Sequence, residues 1–334
     1  MKRFLDSGYA DIKSILSIGL PFIFIIGGRG TGKTYGALKY CIEEHKKIML
    51  MRRTQSQSDL VNRPEFSPFK ALASDLGIEI ITKSVSKYNS AFYLDDECIG
   101  YSCALSTVSN LRGFDASDVD LLIYDEFVPE KHERPIKNEG SAFLNAYETM
   151  NRNRELKGQK PLQLLALANA FDIANPIFRD LELIDIADKM KQKNKPVYVN
   201  KDRGICIVML DGSRISDSKR NTALYKLAGK SDYTEMALGN DFAYNDDSAI
   251  RSQNIKDYKI KCGCGSIYIY KHRSKRMYYV TEYKNGKCDY YGKSEIDVER
   301  FLKNWGRILY TAYINDNVLF ESMIVKSLFE WYIM

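Results

Sequence analysis

The residues best suited to do chemistry in this chain are Lys33 and Thr34, which close the stretch PFIFIIGGRGTGKT at positions 21–34. Their spacing is GxxxxGK[ST], the form of a loop whose backbone amides wrap phosphate oxygens. Gly27, Gly28, Gly30 and Gly32, with Arg29 and Thr31 between them, let the backbone approach an anion closely. Lys33 supplies a mobile charge for β- and γ-phosphates, and Thr34 offers a hydroxyl to Mg²⁺. Binding phosphate does not by itself give hydrolysis. The segment VDLLIYDE (119–126) supplies the other half, a buried-strand pattern ending in two acids. Asp125, ionised, would complete a metal site, and Glu126 would act as general base on water. Asn169 ends another apolar run, LQLLALA (162–168), and suits a sensor of the γ-phosphate, with a strand-end turn as the alternative reading. The implied ligands are ATP and Mg²⁺.

Arginines form a second group. Arg52 and Arg53 follow the strand-like KIMLM, either as phosphate guides or as solvated charges at a strand end. NRNRE (151–155) places Arg152 and Arg154 at a helix end or loop, and Arg112 lies in SNLRGFD, ahead of the acidic strand. An arginine supplied across a subunit boundary speeds phosphoryl transfer by about 10³ to 10⁵. Surface salt bridges would use the same residues.

These side chains need a scaffold. FIFII, KIMLM, VDLLIY and LQLLALA alternate with helical patterns over the first 212 residues, which predicts an α/β fold with a mostly parallel sheet covered on both faces. A helix from Lys33 to about His45 would aim its positive end at the phosphates. AFYLDDECIGYSCAL (91–105) reads as a β-hairpin with Asp95, Asp96 and Glu97 in a solvated turn. Residues 1–212 form the expected P-loop domain, 213–246 a polar, partly helical linker, and 247–334 a smaller basic domain. Net charge of +6 permits a polyanionic partner. Seven scattered cysteines fit reduced thiols, and no apolar stretch approaches a membrane span, so a cytoplasmic location is expected.

In order and spacing, GGRGTGKT, MLMRRT, SNLRGFD, LLIYDEF, MNRNRE and LLALANA resemble the genome-packaging ATPases of small protein-primed tailed phages, compact relatives of large terminase subunits. The resemblance covers roughly residues 20–245. It implies a P-loop NTPase of the type with an extra strand between the loop strand and the acidic strand. It also implies a homomeric, usually pentameric ring at the portal vertex of a procapsid in the host cytoplasm, using ATP to drive double-stranded DNA inward. Arg152 falls at the trans-acting arginine of that family, Arg112 at a second trans-acting basic position, and Asn169 in the motif coupling hydrolysis to movement. Where relatives can carry a DNA-gripping lysine, this chain has Gln55. A helicase or another DNA-dependent P-loop ATPase is the competing reading; a GTPase lacks support because NKPV (194–197) has no aspartate.

The C-terminal domain of such proteins resembles a vestigial RNase H-like nuclease of α+β type. Its hairpin, SIYIYKHRSKRMYYV, has no acid with which to hold metal, so cleavage is not expected. Between Lys256 and Lys287, nine Lys or Arg face two acids and are interleaved with Tyr268, Tyr270, Tyr278 and Tyr279. That pattern predicts nucleic-acid contact through Lys271, Arg273, Lys275 and Arg276 with aromatic stacking, the partner being a structural RNA or the portal. Cys262, Cys264, His272 and Cys288 lack the usual spacing of a zinc site.

Overall fold

The computed structural model describes residues 1–333 apart from 112–114, 130–132, 134–135, 170–172, 212, 232–233, 235–236 and 239–248. The chain divides into two compact units, one of residues 1–172 and 187–243, the other of 173–186 and 244–334.

The first unit is built on one sheet. Its strands are β1 (Phe22–Gly27), β2 (Ile48–Arg52), β3 (Ile80–Ser84), β4 (Ser90–Leu94), β5 (Glu97–Ala104), β6 (Leu121–Asp125), β7 (Gln163–Ala168), β8 (Val197–Asn200) and β9 (Ile205–Leu210). They lie in the order β3-β4-β5-β2-β6-β7-β1-β9-β8. From β5 to β9 every pairing is parallel, with Phe22 opposite both Leu164 and Ile205. β7 therefore separates β1 from β6, the arrangement expected of the extra-strand class of P-loop proteins. The four apolar runs of the sequence became β1, β2, β6 and β7. The acidic hairpin also formed, Asp95 and Asp96 turning it with φ of 49° and 64°, as a two-residue turn between strands demands.

Continuous apolar runs are explained by cover on both faces. On one face Ile23, Ile25, Leu50, Ile123 and Leu165 meet α1 (Ile12–Leu16), α2 (Lys33–Glu43) and α4 (Lys70–Leu76) through Ile15, Leu38 and Leu72. On the other, Phe24 and Tyr124 meet Phe143 of α5 (Glu139–Asn151) at ring separations of 6.5 and 5.9 Å. Between β2 and β3 stands α3 (Gln55–Val61), started by a Thr54–Gln57 capping box. After β7 come α6 (Pro176–Asp180) and α7 (Ile184–Gln192), and after β9 come α8 (Arg214–Lys219) and α9 (Ala223–Ala228).

The second unit has its own five-stranded sheet, β13-β10-β11-β12-β14, from β10 (Tyr258–Cys264), β11 (Ile267–His272), β12 (Tyr278–Thr281), β13 (Asp289–Tyr291) and β14 (Val318–Phe320). Cys262, Cys264, Ile267, Ile269 and Phe320 pack there with Phe301, Phe329 and Tyr332 from the C-terminal helices. No described helix is long and apolar enough to cross a membrane.

Candidate active site

β1 delivers the glycine loop and α2 begins immediately behind it. Gly30 and Gly32 take left-handed φ values of 72° and 78°, which a side chain disfavours. Lys33 folds back on the loop: its Nζ donates to the carbonyls of Gly27 at 2.8 Å and Gly28 at 2.9 Å, and to Asn169 Oδ1 at 3.2 Å. Burial pushes this ammonium down to about 8, against the pull of Asp125. Thr31 is fully buried, its hydroxyl donating to the Gly28 carbonyl at 3.0 Å.

β6 ends at Asp125, which is 4% exposed. The Thr34 hydroxyl lies 3.1 and 3.0 Å from its two carboxylate oxygens. Glu126 comes next with φ 59°, a left-handed turn that sends its side chain outward, half exposed, while Asp125 stays inside. Burial still raises the Glu126 carboxyl above the ordinary value, and Arg52 opposes the shift. With Asn169 beyond β7, these groups line one cavity of about 420 Å³, together with Arg29, Gly30, Gly32, Tyr35 and Ala168. A hydroxyl and a buried carboxylate meeting at its floor are hard oxygen donors, the set Mg²⁺ takes when phosphates and water complete its shell.

Arg52 was the residue the sequence left undecided. It ends β2, beside β6, and bridges both acids, with Nη2 3.1 Å from Asp125 Oδ2 and Nη1 2.7 Å from Glu126 Oε2. Arg53 faces away, wholly buried, with Nε and Nη2 on Glu139 at 2.7 and 2.9 Å and Nη1 3.1 Å from Glu133. Neither arginine is a solvated strand-end charge, and Arg53 does not reach the cavity.

Arg152 and Arg154 part company. Arg152 caps α5 with φ 45°, is 38% exposed and lies 3.4 Å from Asp115; it does not line its own chain's cavity. Arg154 donates to the carbonyls of Ala116, Ser117 and Val119 at 3.2, 3.2 and 2.7 Å, fastening the approach to β6. Arg112 lies outside the described residues. Gln55 is occupied structurally: its amide donates to Asp59 at 2.7 Å and to the Tyr88 carbonyl at 3.1 Å and accepts from Thr107 at 2.7 Å.

In the second unit, Lys271, Arg273, Lys275 and Arg276 are all exposed around the β11–β12 turn, where His272 Nδ1 accepts from the amides of Ser274 and Lys275. Of the four tyrosines expected to stack, Tyr268 is half-buried and the other three are buried. Tyr270, Tyr278 and Tyr279 are 1%, 7% and 2% exposed: Tyr278 enters the core under the helices, and Tyr270 and Tyr279 pack with Tyr258 in a second cluster. Cys262 and Cys264 likewise belong to the core.

The family described as Podovirus DNA encapsidation protein (Gp16) matches residues 5–311. The chain belongs to that family. Among its relatives, the DNA packaging protein of Bacillus phage phi29 is 28% identical over 252 residues, 74% of this chain and 69% of the relative. The DNA packaging protein of Bacillus phage B103 is 25% identical over 331 residues, 91% of this chain and 94% of the relative. Two solved structures share the fold at TM-scores of 0.66 and 0.65. They are the Phi-28 gp11 DNA packaging motor, 19% identical, covering 98% of each chain, and the bacteriophage Phi-29 viral genome packaging motor assembly, 21% identical, covering 97% of this chain and 99% of the other.

One part of the site in this encapsidation-family chain had no sequence signal. The amino-terminal segment braces the phosphate loop: the Ala10 amide donates to the Thr31 carbonyl at 2.9 Å, and Tyr9 packs so closely that a Cβ on Gly32 would stand 2.9 Å from its ring. Arg3 ties the same segment to β9 through the Met209 carbonyl at 2.7 Å. Such contacts have no periodicity to betray them.

Proposed function

We propose that this encapsidation protein is an ATP-hydrolysing motor that drives double-stranded DNA through a portal into a procapsid, working as a homomeric ring. The observation that carries the reading is the meeting of Lys33, Thr34, Asp125, Glu126 and Asn169 at the ends of three neighbouring parallel strands around one cavity. The loop amides and the α2 terminus receive the phosphates of ATP. Lys33 exchanges its carbonyl partners for phosphate oxygens, whose negative charge favours the ammonium form. Thr34 and Asp125 would hold Mg²⁺, which neutralises phosphate charge when bound. Glu126 takes the proton of the attacking water, and Arg52 sets how freely it can do so: while paired at 2.7 Å the carboxylate is the weaker base. Asn169, touching Lys33 now, is placed to report the γ-phosphate.

Arg152, exposed and away from its own cavity, is assigned to a neighbouring subunit's site; the family resemblance of the RNRE motif and its exposure support this. A pentamer is proposed on the resemblance alone. The β11–β12 basic turn is assigned to a polyanion, a structural RNA or an acidic portal surface. IYIYKH and YYVT, its two strands, contain no carboxylate, so nuclease chemistry is not assigned to the second unit. DNA, the portal and the procapsid vertex in the host cytoplasm complete the proposal.

The test is phosphate release from Mg-ATP with and without duplex DNA and empty procapsids, scored beside protection of the duplex from added nuclease. Glu126→Gln is expected to bind ATP and lose turnover by at least about a hundredfold. Normal turnover in that variant, or strand separation without packaging by the wild type, would sink the proposal.

A further inference from the structure

Lys219 is the last residue of α8, far from the phosphate loop in sequence and beside it in space. Its Nζ donates to the Arg29 carbonyl at 2.8 Å. It lies over the loop so tightly that a Cβ on Gly30 would stand 1.9 Å from that nitrogen. The lysine is half-buried, and burial lowers its pKa. Its charge is also felt by Lys33, whose own pKa it helps to lower. Two ammonium groups thus bear on one loop, Lys33 from within and Lys219 over Gly30. Lys33 has Asp125 and Glu126 to offset it, whereas among the described residues Lys219 bonds to the Arg29 carbonyl. A partly desolvated cation placed this way is costly until an anion arrives. α8 is held in position by its cap, since the buried Ser213 hydroxyl donates to the Gly8 carbonyl at 2.7 Å, and Gly8 belongs to the segment bracing the loop.

We propose that Lys219 is a second phosphate ligand acting in its own subunit, reaching over Gly30 to the β- and γ-phosphates of the bound nucleoside triphosphate. The inference rests on the nucleotide reading given above and adds a residue from outside the glycine loop and the acidic strand. It also gives α8 a nucleotide-dependent partner: the same ammonium holds the Arg29 carbonyl before binding and a phosphate after it. Because a diphosphate lacks the outermost group, Lys219 should distinguish ATP from ADP.

The experiment measures ATP and ADP affinities of the full chain by fluorescent-nucleotide competition for wild type, Lys219→Met and Lys219→Arg. Lys219→Met is expected to weaken ATP by about ten- to a hundredfold, the range of a charge-assisted hydrogen bond, with a smaller effect on ADP. Lys219→Arg should recover most of the loss. Unchanged affinities in Lys219→Met overturn the proposal, and so does an equal loss for both nucleotides, which would mean that the lysine only shapes the loop. Should Lys219→Met fail to fold, acetylation of wild-type lysines read by mass spectrometry decides the matter: ATP must shield Lys219 more than ADP does, and equal labelling overturns the proposal. Wild type that binds neither nucleotide would instead sink the nucleotide reading itself.

Discussion

Arg52 holds two carboxylates at once, and the proposed mechanism needs each of them elsewhere. Burial raises the Glu126 carboxyl, and the guanidinium 2.7 Å away holds it down. A general base works ionised, so kcat/KM is lost as pH falls through its pKa, and a raised pKa begins that loss at higher pH than an ordinary glutamate would. Removing the opposing charge moves the limb further: Arg52→Gln should displace the acid limb of the kcat/KM profile to higher pH. An unmoved limb would assign it to another group. The two arginines of NRNRE should separate just as cleanly. Arg154→Ala strands three carbonyl partners and should cost about 1–3 kcal/mol in urea unfolding. Arg152→Ala, half exposed, should stay within about 0.5 kcal/mol yet hydrolyse poorly, with activity partly restored when mixed with Glu126→Gln subunits. Absence of rescue would leave Arg152 a surface residue.

The elements join these residues through the pair Arg52–Arg53. One residue faces the acids of β6; the next enters a buried, bidentate pair with Glu139 at the first turn of α5. α5 has 13 residues, about 20 Å at 1.5 Å per residue, and its far end carries Arg152. The helix is therefore anchored beside one nucleotide site and presents its C-terminal arginine away from it. Glu139→Ala would remove the bidentate carboxylate from the wholly buried Arg53 and should cost about 3–5 kcal/mol, measurable as a lower urea midpoint at constant slope. A change under about 1 kcal/mol would mean that α5 is held mainly by Phe143 and Met150. Asp125, Glu126 and Asn169 were legible in sequence because each follows an apolar run, and Lys33 because the glycine spacing marks it, signals that need no knowledge of neighbours. Arg52 was not, since its role depends on β2 lying beside β6. β9 is as apolar as β1 but carries no chemistry that singles it out, and the tyrosines of β11 and β12 misled because alternation cannot say which of them pack into a core.

At the scale of the molecule, the chain leaves its first unit at residue 173, returns at 187, and leaves again near 244. No composition shift marks the excursion; α6 is five residues long and opens on an ordinary Asn-Pro cap. Each unit has its own core, and the cysteines report on them separately. Cys98 and Cys288 are half-buried, while Cys41, Cys103 and Cys206 lie in the first core and Cys262 and Cys264 in the second. Burial pushes Cys41, Cys103 and Cys262 up to about 12 and Cys206 to about 11, so their reactive thiolates are suppressed as well as shielded. A thiol reagent should therefore modify Cys98 and Cys288 of the native chain first, and the five buried thiols only as urea opens the cores. The smaller unit buries a smaller share of its surface and should open at lower urea, releasing Cys262 and Cys264 ahead of the others. The proposed Mg-ATP site lies wholly within the first unit, so Mg-ATP should raise the urea needed for Cys41, Cys103 and Cys206 and leave that for Cys262 and Cys264 in place. Peptide mapping of the labelled thiols reads all five positions in one experiment, and a common shift of all five with ATP would show instead that the two cores unfold as one.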